Sequence, residues 1–380
     1  MLNFMFKNPT EILFGRGMIA EIAPRVPMDR PVLFVYGGGS IKRNGVYDQV
    51  RAALAKHRLV EFPGIEANPL YETCLQAVEV VKREQIGFLL AVGGGSVLDA
   101  AKFIAAAAVF EGPEPWDILR TVGRNVNSAL PLGTVLTLPA TGSECNGGSV
   151  ISRQATKEKL FFLSPHTFPV FSVLDPETTY TLPPQQVRNG IVDALAHVCE
   201  QYLTYPAAAP LQDRLAESLL QTLIEVGPVT LAEPRNYDAR AAFMWSATLT
   251  LNNLIGSGVP QDWATHMIGH ELTAFYGLDH AETLAIVMLG VWRHRLGQKR
   301  AKLEQYGRRV WNVSTAEEAL AKTEEFFHSL GMPTRLSDYQ IVAEDAAERV
   351  RLRFTERQVA YGERGDFGAA DAAAVLQLRA

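Results

Sequence analysis

Cysteine is scarce in this chain, and long apolar runs are absent. The 380 residues include only Cys74, Cys145 and Cys199, which are widely spaced. Thiols this few and this far apart do not form a disulfide framework, which favours a reducing, cytoplasmic environment. The most apolar stretches, FLLAV and FIAAAAVF, are far shorter than the roughly 20 residues of a membrane span. Lys7 and Pro9 also stand where a secretory signal needs its apolar run. We therefore expect a cytoplasmic protein that does not associate with membranes.

An excess of positive charge is also lacking. The chain has 36 Lys and Arg against 41 Asp and Glu, a net charge of −5. That balance gives no basic surface for nucleic acid. The hydrophobic content of 47% suits a globular protein with large cores. The length predicts two domains, because single cores rarely grow past about 250–300 residues.

The first half of the chain alternates strand-like and helix-like segments. Continuous apolar runs of buried-strand length occur at Val32–Tyr36, Phe88–Val92, Thr134–Leu138 and Val170–Leu174. Helical patterns lie between the first three runs, at about 46–57, 71–85 and 97–109. Alternation of this kind predicts a parallel, Rossmann-like sheet with helices on both faces.

The pattern changes near Leu182-Pro183-Pro184, and no convincing strand follows. Helical patterns cover about 185–204, 211–226, 236–255 and 262–275. Pro206, Pro210, Pro228 and Pro260 fall between them, where helices should stop. We therefore predict an α/β dinucleotide-binding domain over residues 1–181 and an all-helical domain over residues 182–380.

A glycine-rich turn follows the second of the predicted strands. Gly93-Gly94-Gly95-Ser96 stands between a strand and a helix, where backbone amides and the helix N-terminus can hold a phosphate. Asp99 falls in the expected first turn of that helix. The spacing is neither G-x-G-x-x-G nor a P-loop. A tight turn that binds nothing is the alternative.

A second glycine turn, Gly37-Gly38-Gly39-Ser40, bears on the choice of cofactor. Folds that select the non-phosphorylated dinucleotide usually place an acidic residue here for the ribose 2′-hydroxyl. No Asp or Glu occurs between Tyr36 and Tyr47, whereas Lys42 and Arg43 follow the glycines. That composition favours a 2′-phosphate. The alternative is a plain basic start of a helix.

A third loop, residues 138–144, has the sequence LPATGSE. Its hydroxyl groups are suited to contact a ribose or a pyrophosphate. An N-capped helix start, from Thr141 or Ser143 with Glu144 in the first turn, explains the loop equally well.

Asp193 and His197 are four residues apart in a predicted helix and therefore share a face. Taken alone, they are better explained, with Glu200, as the solvated side of an amphipathic helix.

A second histidine group changes that balance. His266 and His270 repeat the i, i+4 spacing, and His280 follows in a Gly-Leu-Asp-His turn. Aspartate and histidine together are suited to zinc or ferrous iron. The order of residues is not H-E-x-x-H, which argues against a metalloprotease.

Four motifs together resemble the iron-containing alcohol dehydrogenase family, and within it the NADPH-dependent aldehyde reductases and butanol dehydrogenases. They are GGGSVLDAAK (93–102), TLPATGSE (137–144), DALAH (193–197) and PQDWATHMIGHELTAFYGLDHAETLAI (260–286). The resemblance extends from the N-terminus to about residue 340. It implies a dehydroquinate-synthase-like fold with the site in the cleft between the two domains.

The resemblance also implies roles for particular residues. The metal-ligand positions are Asp193, His197, His266 and His280. His270 takes the position of a histidine proposed as a proton relay. The pyrophosphate positions are Gly93, Gly94, Gly95 and Ser96, with Asp99 behind them. Thr137, Thr141 and Lys159 take nicotinamide, ribose and other cofactor positions, and Gly38, Gly39 and Ser40 receive the adenosine ribose and its 2′-phosphate.

The implied activity is reduction of small aldehydes to primary alcohols, and the reverse, with NADP(H) and one divalent metal, Zn²⁺ or Fe²⁺. The family is often dimeric. Two other enzyme classes stay open: a dehydroquinate-synthase-like lyase and a metallohydrolase. A lyase acting on a phosphorylated substrate needs basic residues near the metal, and residues 193–200 and 262–280 contain no Lys or Arg. Trp263, Phe275 and Tyr276, beside the expected ligands, suggest an apolar substrate pocket.

Overall fold

A six-stranded, fully parallel sheet forms the centre of the N-terminal half. The structure, a computed structural model, describes all residues from 1 to 380. The six strands are β1 (Glu11–Phe14), β2 (Val32–Tyr36), β3 (Leu59–Phe62), β4 (Phe88–Gly94), β5 (Leu132–Leu138) and β8 (Phe171–Leu174). Their order across the sheet is β1-β8-β5-β4-β2-β3. A separate antiparallel hairpin is formed by β6 (Gly148–Arg153) and β7 (Glu158–Leu163).

The apolar residues of the sheet explain why it is covered on both faces. Leu33 and Leu89 lie in one buried apolar cluster, whereas Val32 and Leu90 lie in another. Successive side chains of a strand point to opposite faces, so a strand buried on both faces has a continuous apolar run. This confirms the predicted parallel sheet and all four predicted strands.

Four strands, β1, β3, β6 and β7, were not predicted from the sequence. β1 and β3 lie at the two edges of the sheet and have only four residues each. The β6–β7 hairpin occupies residues 148–163, for which no strand was expected. Edge strands and short hairpins give weak periodic signals because they are only partly buried.

The helices of the first half are α1 (Ser40–Arg43), α2 (Val46–Ala53), α3 (Tyr71–Arg83), α4 (Gly95–Ala107) and α5 (Asp117–Arg120). Those of the second half are α6 (Pro184–Tyr202), α7 (Pro210–Ala232), α8 (Tyr237–Thr250), α9 (Ala264–Tyr276), α10 (His280–His294), α11 (Leu296–Tyr306), α12 (Ala316–Ser329), α13 (Ala343–Arg357) and α14 (Ala369–Gln377). The second half has no strand, in agreement with the expected helical region. No helix has both the length and the apolar character to cross a membrane.

The chain divides into two compact units. The α/β unit comprises Lys7–Pro183 and Glu233–Thr248, and the helical unit comprises Met1–Phe6, Pro184–Ala232 and Leu249–Ala380. Most of α8 thus belongs to the α/β unit. Its Met244 joins a buried cluster beside the sheet, and Thr248 Oγ1 donates to the carboxylate of Glu144.

One predicted helix end is wrong. Pro228 was expected to lie beyond the helix over 211–226, but α7 continues through it to Ala232. Proline removes one backbone hydrogen-bond donor, yet a helix can accommodate a proline when the packing of its buried face outweighs that cost. Leu220 and Leu223 on this helix are completely buried, and Gly227 packs against Ile191 of α6.

Candidate metal and cofactor sites

Helix α6 carries the first two candidate ligands on a buried face. Asp193, His197 and Glu200 are each 4% exposed. The alternative of a solvated polar face is therefore wrong. A buried carboxylate needs a compensating partner, because desolvation of an unpaired charge is costly.

The ligand atoms of Asp193, His266 and His280 all lie within 4.8 Å of one another. His197 adjoins this group, since its ring centroid is 4.5 Å from that of His266. Its Nδ1 donates to the backbone oxygen of Asp193 at 2.9 Å, which selects the tautomer with the lone pair on Nε2. Asp193 Oδ1 is buried and accepts no hydrogen bond. A carboxylate beside three imidazoles fits zinc or ferrous iron.

Two local structures set the positions of His266 and His280. Trp263, at φ 64°, precedes α9, and Asp262 Oδ1 accepts the amide of Ala264 at 3.0 Å. Lys299 Nζ in turn donates to Asp262 Oδ2 at 2.7 Å. At the start of α10, Glu282 accepts the backbone amide of Asp279 at 3.0 Å. Both helices therefore begin at fixed points beside the cluster.

Glu200 is a site residue that the sequence pattern suggested only as part of a solvated helix face, and not as a partner of the metal ligands. It lies seven residues after Asp193 on α6, and its Oε2 is 4.0 Å from Nδ1 of His266. Its Oε1 accepts the amide of Thr265 at 3.1 Å. Burial, followed by the charge of Asp262, raises the pKa of Glu200. The i, i+4, i+7 spacing of D-x-x-x-H-x-x-E was the signal available in the sequence.

His270 also lies beside the cluster. It is 4% exposed, and its ring centroid is 5.4 Å from that of His280. Of the three aromatic residues expected near the ligands, Trp263 has its ring 5.2 Å from His266. Tyr276 instead donates a hydrogen bond to Asp345 of α13. The guanidinium of Arg353 lies over the ring of Phe275, 4.8 Å from its centroid. Only Trp263 of the three contacts the histidine cluster through its ring.

The glycines at the end of β4 are needed for packing. A Cβ at Gly93 would lie 2.5 Å from Val97, and one at Gly95 would lie 2.7 Å from Thr141 Oγ1. The turn therefore packs directly against the third loop, which supplies Thr141. Ser143 N donates to Thr141 Oγ1 at 3.2 Å, and a short 3-10 helix, Ser143–Cys145, follows.

Asp99 was expected in the first turn of α4, and this prediction is wrong. The helix begins at Gly95, so Asp99 lies beyond its first turn. Its carboxylate points into the unit: Oδ1 accepts Ser143 Oγ at 2.6 Å, and Oδ2 accepts the amide of Val150 at 2.8 Å. Burial raises the pKa of Asp99, while Lys102 opposes the rise. Asp99 thus ties α4 to the third loop and to β6.

Lys102 of α4 is completely buried and was not predicted as a site residue. Its Nζ donates to Ser143 Oγ at 2.8 Å, to Asn146 Oδ1 at 3.1 Å and to the Gly148 oxygen at 2.8 Å. Burial lowers the pKa of Lys102 to about 8. The lysine fixes the backbone after the third loop.

The remaining expected cofactor residues lie on strands. Thr137 is buried near the end of β5. Lys159 is buried on β7 and donates to Asn68 Oδ1 at 2.8 Å, and its charge, like that of Lys102, opposes the rise in the pKa of Asp99. The hairpin thus brings Lys159 close enough to Asp99 for their charges to interact.

The turn after β2 is open. No atom lies within 4 Å of a Cβ built at Gly38 or Gly39, and Gly39 has a φ of 91°. An acidic residue does reach this region: Glu61 of β3 lies 3.9 Å from Lys42 Nζ. The absence of an acid from residues 36–47 therefore did not exclude one nearby, because β3 was not predicted.

This fold and buried donor set define a class, the metal-dependent dehydrogenases with an α/β unit and a helical unit. Two family models then cover nearly the whole chain. The model for iron-containing alcohol dehydrogenase matches residues 9–176, and the model for the family's C-terminal part matches residues 188–377. The protein belongs to the iron-containing alcohol dehydrogenase family. It is an oxidoreductase of that type, which disfavours the lyase and metallohydrolase alternatives.

Individual relatives agree with this assignment. The chain is 58% identical over 346 residues to the NADPH-dependent aldehyde reductase YqhD of Escherichia coli, covering 89% of each protein. The crystal structure of E. coli YqhD superposes with a TM-score of 0.98 at 52% identity, covering 100% of this chain and 99% of that one. The crystal structure of NADH-dependent butanol dehydrogenase A from Thermotoga maritima superposes with a TM-score of 0.92 at 35% identity. The match covers 100% of this chain and 99% of that one.

Proposed function

We propose that this enzyme reduces aldehydes to primary alcohols, and catalyses the reverse reaction, with NADP(H) and one divalent metal ion. The observation that carries the proposal is the convergence of Asp193, His266 and His280 within 4.8 Å. The similarity to a protein named as an NADPH-dependent aldehyde reductase supports the substrate class and the cofactor.

In this proposal the metal is held by Asp193, His197, His266 and His280. When bound, a divalent cation polarises a carbonyl group and stabilises the charge that develops on its oxygen. The chain contributes one anionic and three neutral ligands, which leaves the site with net positive charge for that oxygen. Both Zn²⁺ and Fe²⁺ suit these ligands, and the family's description favours iron.

The cofactor is proposed to bind the α/β unit at its glycine turns. The residues assigned to it are Gly37, Gly38, Gly39, Ser40, Gly93, Gly94, Gly95, Ser96, Asp99, Thr137, Thr141 and Lys159. The open space beside Gly38 and Gly39 supports an adenosine ribose there. For Asp99, the two hydrogen bonds to Ser143 and Val150 support an indirect role, in which it holds the third loop in position.

His270 is proposed to pass the proton that the product alcohol needs. An imidazole with an ordinary pKa of about 6.5 exchanges protons readily near neutral pH. Its ring lies close to that of His280, which supports a role beside the metal. Support and orientation of His280 is the alternative role.

We further propose a cytoplasmic homodimer that uses small-molecule substrates and does not bind nucleic acid. All three cysteines are buried and unpaired, which suits a reducing compartment. The N-terminal segment has large apolar side chains that are each at least 46% exposed, and a second copy would cover them. They are Met1, Leu2, Phe4, Met5 and Phe6.

The decisive experiment follows reduced-nicotinamide absorbance with a panel of short aliphatic and aromatic aldehydes. The enzyme is assayed with NADPH and with NADH, after chelation, and after addition of Zn²⁺ or Fe²⁺. We expect turnover with NADPH that chelation abolishes and one of the metals restores. Turnover that survives complete metal removal, or a higher kcat/KM with NADH, contradicts the proposal.

A further inference from the structure

A charged and aromatic cluster lies at the carboxyl ends of β2 and β3, next to the glycine turn of residues 37–40. We call it the Glu61 cluster; its members are Tyr36 of β2, Lys42 of α1, Tyr47 and Arg51 of α2, and Glu61 of β3. β2 and β3 are parallel neighbours, and Glu61 pairs with Phe34, two residues before β2 ends. The cluster and the turn therefore lie together at the carboxyl end of these two strands.

Two tyrosines fix the Glu61 carboxylate. Tyr36 Oη donates to Oε2 at 2.8 Å, and Tyr47 Oη donates to Oε1 at 2.6 Å. Burial raises the pKa of Glu61, but these two bonds and the charges of Lys42 and Arg51 together hold it below its usual value. The side chain is thus an ionised carboxylate that accepts one hydrogen bond on each oxygen.

Lys42 is the cation beside that carboxylate. Its Nζ is 3.9 Å from Glu61 Oε2 and lies 4.9 Å from the ring centroid of Tyr47 and 5.2 Å from that of Tyr36. The side chain is 50% exposed, so its ammonium stays accessible. Lys42 follows Ser40 by two residues, so the short helix α1 carries both the last residue of the turn and this ammonium.

We propose that Glu61 limits how strongly the enzyme prefers a 2′-phosphorylated cofactor. The inference rests on the proposed function, which puts the adenosine ribose at Gly37–Ser40. A 2′-phosphate there is attracted by Lys42 and repelled by Glu61, whereas an uncharged ribose 2′-hydroxyl experiences neither effect strongly. The carboxylate is a fixed counter-charge, and Glu61 is a specificity-determining residue.

The test uses two probes that need neither nicotinamide nor metal: adenosine 2′,5′-bisphosphate and adenosine 5′-monophosphate. Calorimetry gives the ratio of their Kd values, monophosphate over bisphosphate, for each variant. We expect Glu61→Gln to raise this ratio about threefold to tenfold, and Lys42→Gln to lower it by a similar factor. The Glu61→Gln effect should shrink at about 1 M salt, where the Debye length is only about 3 Å.

Tyr47→Phe is the matched control, because it removes one hydrogen bond to Glu61 and keeps both charges. Its ratio should equal that of the wild type, with thermal unfolding checked for all variants. An unchanged or lower ratio in Glu61→Gln, or an equal rise in Tyr47→Phe, overturns the role of the Glu61 charge. A wild-type ratio at or below one overturns the proposed cofactor as well, so the two failures are distinguishable.

Discussion

Glu200 Oε2 lies 4.0 Å from Nδ1 of His266, while the other oxygen of the same carboxylate accepts the Thr265 amide. If His266 binds a metal through Nε2, its Nδ1–H faces a carboxylate. Such an outer partner fixes the ring and makes the ligand more basic. Glu200 thus links the two ligand-carrying helices α6 and α9.

Replacing Glu200 should therefore weaken metal binding. We expect Glu200→Gln, which keeps the size but replaces the carboxyl group with an amide, to raise the metal Kd about 10-fold to 100-fold. Competition with a chelator of known affinity measures it without any activity assay. Glu217→Gln is the control, since Glu217 is a buried acid bonded to Tyr202 and Arg309. Equal metal affinity in Glu200→Gln and the wild type would refute the assignment.

His266→Ala should lose metal and turnover together but retain dinucleotide binding, because it removes one candidate ligand and leaves the α/β unit unchanged. Metal content by elemental analysis and cofactor Kd by fluorescence are the two readouts. His328→Ala, which removes a bond to Thr334, is the control and should retain metal. Full metal stoichiometry and turnover in His266→Ala are incompatible with its role as a ligand.

His270→Gln should retain metal yet lower kcat, by about 100-fold to 10,000-fold if the imidazole transfers the proton. The pH profile of kcat should also lose one limb. A variant that loses metal would identify His270 as a ligand, and one with a lower kcat but an unchanged profile would identify it as structural support.

Two glycines should respond differently to alanine. Gly38→Ala puts a methyl group into open space, so the free energy of unfolding should hardly change while the cofactor Kd rises. Gly93→Ala puts its methyl group 2.5 Å from Val97 and should destabilise the fold by about 1–3 kcal/mol. Chemical denaturation and cofactor titration of both variants separate packing from binding. Unchanged cofactor affinity in Gly38→Ala contradicts a ribose at that turn.

Lys102 predicts a pH dependence of stability. Its folded pKa of about 8 lies below its ordinary value of 10.5. Between these values the unfolded state binds more protons, so raising the pH favours the folded state. The stability of the wild type relative to Lys102→Met should therefore rise by about 3 kcal/mol from pH 8 to 10.5. Urea unfolding across this range measures it, with the exposed Lys56→Met as control. Parallel curves for wild type and Lys102→Met contradict the shift.

The sequence predicted the central strands because they are buried on both faces. Val32–Tyr36 is a continuous run of hydrophobic residues, and its bounds are the same as those of β2. β3, with the sequence LVEF, is only partly buried, so its four residues resemble many surface segments. Missing β3 also meant missing Glu61, whose position depends on pairing with β2.

The histidine spacing predicted which residues share a helix face, and local geometry alone sufficed for that. The burial of Asp193 and Glu200 was not predictable in the same way, because it depends on which helices pack against α6. The direction of the Asp99 carboxylate depended likewise on Ser143 and Val150, which are 44 and 51 residues away. Contacts over such distances leave no periodic trace in a single sequence.

The membership of Glu233–Thr248 in the α/β unit limits how this architecture can be exchanged between proteins. A recombination break after residue 183 carries the whole sheet but leaves behind Met244 and the hydroxyl that binds Glu144. The transferred piece would expose an apolar gap and a buried acid without its donor. A transplanted α/β unit is therefore expected to need residues 233–248 as well as residues 7–183.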